Sequence, residues 1–593
     1  MFRIHKQKIA NFTKIAAAFV LCVAVTIPAP AQSPEFPERM PIVERPFSED
    51  PDKFSFAIIG DKTGGGLDKW HVFDRSIDEI NTLKPDFAIM VGDLIQGNTT
   101  DLEQLGAEWK EFWQHESDLI VPFLPLPGNH DITNPVMYDY WKEHLGRTYS
   151  AFVYKDCLFI TLNTEEWHGP THEEWDWEKE GWFGTTQIQY VKDELARHTV
   201  VRHTFVMMHR PIWLYESSGW EQIEEALGDR AYTVFAGHYH NLTLHTRNDR
   251  RYFVLSATGG GLTPRDVPEV GAFDHYSIVT VDGDEVNVAI IKPGSIYPAD
   301  ISTAVFKERL GNLLTFTPHF NIDRTEDVNN GNLEIAIDNT LEKQVIVEIA
   351  FHHNEHWQIS PHQLTFEVKP GRSTEGTVAL RVPSDTLIPF PIYDYAVLYG
   401  GEQLRSGSNL LHPVDRADMR VLKNWMLLGP FDLGVTEAPA DPNDAPPNFR
   451  TALLPEFGEN ATYEGQTGEI VWQGHISETE RINLDEVFGN PNWAFGYGMT
   501  HVKSPDERYV FAQIGWGSNL GRLFLNGVEI PEASARGTHL YRGWAHFELP
   551  LKTGWNTIVI QTGDYTGGWD YRMEVADPTE ALQFGVKGVN LQD

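Results

Sequence analysis

Cysteine is almost missing from this chain: its 593 residues include two, Cys22 and Cys157. Cys22 lies in an N-terminal stretch that reads as a removable signal. The remaining chain then has no intrachain disulfide, and its folding rests on packed cores. Cys157 sits in the apolar stretch from Ala151 to Leu162 and reads as a core residue rather than a nucleophile. Long apolar runs are missing as well. None past the N-terminus reaches about 18 residues, so no transmembrane segment is expected. Positive charge is scarce: 47 Lys and Arg stand against 84 Asp and Glu, a formal charge of -37. That acidity excludes a broad nucleic-acid surface and reads as a solubility device. No Gly-x4-Gly-Lys-Ser/Thr pattern occurs, which excludes a P-loop, and no short-period repeat organises the chain.

The length suggests about three domains. Residues 1–31 read as a secretory signal: Arg3, Lys6, Lys8 and Lys14, then apolar Ile15 to Val25, then Ala29-Pro30-Ala31. Leu21 before Cys22 does not suit lipoprotein processing. Losing the signal takes the charge to -41, and the expected location is exported, periplasmic or extracellular. Residues 32–50, with Pro34, Pro37, Pro41 and Pro46, read as a linker. From 51 to 300, strands alternate with helical patterns, clearest over 68–83, 102–115 and 187–198, which predicts a layered α/β domain. Residues 301–418 lose the helical pattern and alternate like the strands of an immunoglobulin-like β-sandwich. Residues 419–593, with a hairpin turn at Asn526-Gly527, read as a second β-domain. The fold class is therefore multidomain α/β: one α/β domain followed by two all-β domains.

Five segments of the α/β region carry acidic, amide and imidazole groups. They are Gly60-Asp61-Lys62-Thr63, Gly92-Asp93, Gly128-Asn129-His130-Asp131, His209 and Gly237-His238-Tyr239-His240. Most follow an apolar, β-favouring run, which puts them at the C-terminal ends of buried strands, the ligand edge of an open α/β sheet. Oxygen and imidazole donors together suit Mn, Fe or Zn. Any one of these residues alone would read as a helix cap or a satisfied loop imidazole; five segments in one chain point to a metal site.

In this order the motifs resemble the calcineurin-like metallophosphoesterase superfamily, over roughly residues 51–300. The resemblance implies a two-sheet sandwich flanked by helices and two divalent or trivalent metal ions. Asp61 and His240 would serve one ion, Asn129, His209 and His238 the other, and Asp93 would bridge them. It also implies hydrolysis of a phosphomonoester or phosphodiester by a metal-bridging water that has lost its proton. His130 is the candidate to bind the phosphoryl group or protonate the leaving oxygen, and Asp131 to orient its ring. The chain departs from the family at position 63, where Thr replaces a ligand His, so one site is expected to be weaker. A subset of members has a similar Asp-x-Thr-Gly-Gly start. Gly64 to Gly66 could present N–H groups to an anion. Gln96 stands where purple acid phosphatases carry Tyr.

The insertion from Glu165 to Trp182, with Trp167, Trp175, Trp177 and Trp182, reads as a wall of the pocket, as do Arg210, Trp213, Trp220 and Arg265. The alternative is local packing. The last domain loosely resembles galactose-binding-like jelly rolls. Trp493, Trp516, Trp544, Trp555 and Trp569 could stack on sugar rings or fill a core. His352, His353 and His356 match no ordered zinc spacing. The expected function is an exported binuclear phosphoesterase acting on a small phosphoester. The rival readings are a phosphoryl or sulfuryl ligand-binding protein with a weakened metal site, and a carbohydrate-anchored surface module.

Overall fold

The computed structural model describes residues 50–586, except 67–68, 166–182, 216–217, 321–325, 413, 438–443, 453, 456–460, 490, 537–543 and 566–567. The signal, nearly all of the linker and the four tryptophans of the insertion lie outside the described residues. The chain divides into two compact units. One takes the chain up to Asn241 with 245–262 and 274–299, and the other takes 242–244, 263–273 and 300–593. That division differs from a single cut near 300. Val267, for example, is buried in the core of the second unit.

The chain order begins β1 (Lys53–Ile59), α1 (Trp70–Leu83), β2 (Phe87–Met90), α2 (Leu102–Glu116), β3 (Phe123–Pro125), α3 (Pro135–His144), β4 (Ser150–Tyr154) and β5 (Cys157–Thr161). It continues with α4 (Thr185–Arg197), β6 (His203–Met207), α5 (Trp220–Leu227), β7 (Tyr232–Ala236), β8 (Thr243–Arg247), β9 (Arg250–Val254), β10 (Tyr276–Asp282), β11 (Glu285–Lys292) and β12 (Ser295–Pro298). Two six-stranded sheets result, ordered β12-β11-β10-β1-β2-β3 and β4-β5-β6-β7-β9-β8. β1, β2 and β3 run parallel, as do β5, β6, β7 and β9.

These strands are apolar on both sides because both sides are buried. In β1, Ala57 and Ile59 join Phe73, Ile77 and Ile80 of α1 and Leu105 and Phe112 of α2. Phe56 points the other way, as a period of two requires, and meets Phe159 at 5.2 Å and Phe205 at 5.0 Å from the second sheet. Leu158 and Ile160 face Val191 and Leu195 of α4 and Ile223 of α5. Truncating a core Phe to Ala typically costs about 3–5 kcal/mol. This aromatic layer, with no disulfide, joins the sheets, and Cys157 is buried within β5 with its thiol pushed up by burial. Helix starts follow local chemistry: Asp101 accepts from the N–H groups of Glu103 and Gln104, and Asn134 from that of Met137.

In the second unit, a helix at Ala304–Gly311 stands where the sequence pattern suggested none. A β-sandwich follows. One antiparallel sheet orders Leu314–Phe320, Val328–Asn339, Arg372–Pro383 and Gln358–Ser360; the other orders Gln363–Val368, Val345–Phe351, Ile392–Tyr399 and Glu402–Leu410. A five-stranded and an eight-stranded sheet then form the last β-domain. Asn526 and Gly527 both have positive φ (52° and 82°) between paired strands, the backbone of a type I′ hairpin. Trp516 and Trp569 are buried in its core, whereas Trp544 and Trp555 are exposed. His352 pairs with Asp394 at an exposed strand end. No helix among the described residues is long and apolar enough to cross a membrane.

Candidate metal centre

The sheet order brings the five segments together. Asp61 and Asp93 follow β1 and β2 of the first sheet, Asn129 and His130 follow β3, and His209, His238 and His240 follow β6 and β7 of the second. Two groups have ligand atoms within 4.8 Å of one another: Asp93, His209 and His238, and Asp61, Asp93 and His240. Asp93 belongs to both. Asn129 joins the first group, its Oδ1 2.9 Å from His209 Nε2.

Each imidazole has one nitrogen held and the other aimed inward. His209 Nδ1 lies 2.9 Å from the carbonyl of Val91, to which it donates, leaving Nε2 3.3 Å from Asp93. His240 Nδ1 faces the carbonyl of Gly261, leaving Nε2 3.1 Å from Asp61. His238 Nε2 lies 3.1 Å from Arg210 Nη1 and its Nδ1 3.2 Å from His209 Nε2. The carbonyl contacts of His209 and His240 are of the kind that orient metal-binding histidines, whereas at His238 the Arg210 guanidinium is the donor and Nε2 the acceptor. Asp61 Oδ1 is buried with no hydrogen-bond partner, an expense a protein rarely leaves uncompensated. That orphaned oxygen inside a ring of imidazoles fits a metal ion of the Mn, Fe or Zn type.

The backbone here is shaped for closeness. Asp93, His238 and His240 have φ of 55°, 75° and 46°, a left-handed conformation that side-chain-bearing residues adopt at a cost of about 1–3 kcal/mol. A Cβ on Gly237 would fall 2.2 Å from Asp61 Oδ1, and one on Gly128 2.3 Å from Asp93 Oδ1. Glycine at these positions is thus a packing requirement of the site.

Charge is balanced within the cluster. Burial pulls Asp93 upward, yet the adjacent His209 holds its carboxyl well below the usual carboxylate range. Burial alone would lower His209, but Asp93 raises it to about 10; Asp61 likewise raises His240 to about 9 against its burial. His238, buried beside His209, is lowered to about 2.

The remaining sequence candidates fall as follows. His130 is half-buried at the edge of the cluster. Its N–H donates to Asp93 Oδ1 at 2.9 Å, and its Nδ1 lies 2.7 Å from the carbonyl of Gln96. Asp131 does not orient that ring, a correction to the sequence expectation. Its carboxylate instead accepts from the N–H groups of Asp93, Leu94, Ile95 and Gly128, at 2.7 to 3.3 Å. Burial and the Asp93 charge push it up, and the amide donors oppose that push. Asp131 therefore ties the Asp93 loop to the Gly128 loop.

The Thr63 hydroxyl donates to the carbonyls of Ile95 and Asp93, at 2.6 and 3.1 Å, which turns it away from ligand duty. The Gly64 amide is taken by the Gln96 side chain. Trp213 and Trp220 are buried against Tyr252 in the α4–α5 core, which is the local packing the sequence left as the alternative. Arg265 falls in the second unit. Sequence reasoning missed the partner of Arg210: buried Glu165 accepts from its Nε through both carboxylate oxygens, at 2.8 and 3.1 Å. The signal was there, an acid just past the apolar strand β5.

A family model described as calcineurin-like phosphoesterase matches residues 54–242. No curated protein matches the chain in sequence. Among solved structures, the chain is similar to a dimetal phosphatase from Danio rerio, at 11% identity, covering 42% of this chain and 98% of that one, with a TM-score of 0.32. It is similar to the anchor in the inner membrane complex of Plasmodium, at 12% identity, covering 42% and 88%, with a TM-score of 0.32. A family 35 carbohydrate binding module from an environmental isolate gives 16% identity, 16% and 74% coverage, and a TM-score of 0.13.

Proposed function

We propose that this chain, whose residues 54–242 form a calcineurin-like phosphoesterase domain, is a binuclear metal-dependent hydrolase of a phosphomonoester or phosphodiester. The observation that carries this reading is the placement of buried Asp93 in both candidate metal groups. Asp93, Asn129, His209 and His238 would hold one ion, and Asp61, Asp93 and His240 the other, each of the Mn, Fe or Zn type. When bound, such a pair supplies positive charge for the phosphoryl oxygens and lowers the pKa of water. The chain's own part is to hold substrate and protons. With Nδ1 donating to Gln96, His130 leaves Nε2 to carry a proton toward the leaving oxygen. Asp131 keeps its loop in place beneath it. The N-terminal basic, apolar and Ala-Pro-Ala sequence supports export of the enzyme.

The direct test is turnover of nitrophenyl phosphate and bis-nitrophenyl phosphate by metal-reconstituted protein. Metal-dependent release of nitrophenolate from either is expected; none from both, with two ions bound, would leave only a ligand-binding role.

A metal titration adds a sharper check. With Thr63 committed to backbone carbonyls, one ion has three protein donors and the other four, so two affinities are expected. Burial lowers both His209 and His240, yet Asp93 raises His209 to about 10 and Asp61 raises His240 to about 9, which favours their protonated forms at neutral pH when no metal is bound. Metal uptake must therefore release protons and tighten as pH rises toward 9. Calorimetry in buffers of different ionisation enthalpy reads the count. Two equally tight steps with no proton release would contradict this ligand set.

A further inference from the structure

The last β-domain carries a second site of a different kind. Strands Arg508–Trp516, Trp544–Leu551 and Asp570–Ala576 lie side by side. Along them, Ala512, Ile514 and Trp516 point into the domain core, so Gln513 and Gly515 must face the other side. The register sets Gln513 between His546 and Glu574, and Gly515 between Trp544 and Arg572. Two rows of functional side chains therefore stand on the outer face of a sheet whose inner face is formed by apolar and aromatic side chains.

That face forms one wall of a cleft of about 780 Å³, closed on the other side by Phe316, Tyr393, His412, Asp415 and Arg416. The volume is that of a typical small-ligand site. Trp544 supplies its aromatic floor. The indole packs over Gly515, where a Cβ would stand 3.5 Å from the ring carbons, an ordinary contact distance. The Arg572 guanidinium sits 5.3 Å from the indole centroid. The indole remains 37% exposed.

The polar groups around it are braced. Gln513 Oε1 lies 3.0 Å from His412 Nε2, the Gln513 amide donates to Glu574, and Arg572 Nε donates to Glu574 at 2.8 Å. The ring nitrogens of His546 make no hydrogen bond among the described residues. Burial first, and then His412, lower His546 to about 4, so it is neutral at ordinary pH and offers one donor and one acceptor. Arg416 and Arg572 stand among Asp415, Glu574 and Glu480, the last ion-paired with both arginines. The acids outnumber the bases, which disfavours a free anion.

We infer that this cleft binds a neutral saccharide, one pyranose face stacked on Trp544 and its hydroxyls shared among Gln513, Glu574, Arg572 and His546. An apolar ring face edged by hydroxyls is the ligand chemistry that matches an exposed indole beside a row of fixed donors and acceptors. The site goes beyond the phosphoesterase reading, and its test is independent of turnover.

The experiment is calorimetric titration of the full chain with cellohexaose, xylohexaose, mannohexaose and laminarihexaose, with hexagalacturonate as the acidic counterpart. At least one neutral hexamer is expected to bind at one site per chain. Trp544→Ala should weaken that binding by about tenfold or more, the mark of an aromatic anchor, while Trp544→Phe keeps part of it. Trp555→Ala, an exposed tryptophan outside the cleft, should leave binding unchanged. Unchanged melting temperatures show that the variants fold; if Trp544→Ala does not, Trp544→Phe and His546→Ala carry the comparison. No binding to any neutral hexamer would overturn the assignment. So would tighter binding of hexagalacturonate than of every neutral hexamer, or loss on Trp555→Ala with none on the cleft variants.

Discussion

Replacing Asp93 with Asn is expected to strip the metal pair and remove nearly all phosphoester turnover. Asp93 is the one carboxylate common to both candidate groups, so an amide there takes a charge from two ions at once. Losing several kcal/mol of electrostatic support corresponds to a fall in rate of roughly three powers of ten or more. The substitution is also clean. Asn tolerates the left-handed backbone of position 93, where φ is 55°, and its Oδ1 can still accept the His130 N–H. What changes is charge rather than shape. Plasma mass spectrometry should find less than about half the wild-type metal. Full metal content with full activity would remove Asp93 from the site.

His130→Ala should behave differently. The hydrogen bond from His130 to the cluster comes from its backbone N–H, which Ala retains, so metal content should stay at the wild-type level. The rate should fall by ~10²–10⁴, the usual worth of a positioned acid. If His130 protonates the leaving oxygen, the loss shrinks for nitrophenyl esters, whose leaving group needs no proton, and grows for alkyl esters. An equal loss across that series would assign the ring to holding the phosphoryl group. Coincident loss of metal would mean that the loop from Gly128 to Asp131 had shifted, making the residue structural.

Much of the site was legible because its motifs are local. A strand that ends in Gly-Asp or Gly-His announces both the turn and the donor, and the apolar runs before Asp61, Asp93, His209 and His238 became β1, β2, β6 and β7. Helices α1, α2 and α4 followed their apolar spacing within a few residues. The shorter α3 and α5 did not stand out, since two or three turns of helix give the period little room. The role of Asp131 was misread for a related reason. Adjacency to His130 suggested contact with its ring, but the turn after Gly128 sends the two side chains apart, and the carboxylate found the N–H of Gly128 in its own loop and three more from Asp93, Leu94 and Ile95, distant in sequence.

By itself, then, the sequence determined the acidity, the lack of any disulfide among the described residues, the strand-end donors and the β-rich second half. These depend on composition and on patterns a few residues long. Only the tertiary structure decided which side chains share a space. It set Asp93 in both groups and turned the Thr63 hydroxyl toward carbonyls. It also sorted the tryptophans, burying Trp516 and Trp569 and leaving Trp544 on a cleft wall. Those outcomes depend on strand register and on the meeting of loops dozens to hundreds of residues apart, and no local pattern encodes such distances.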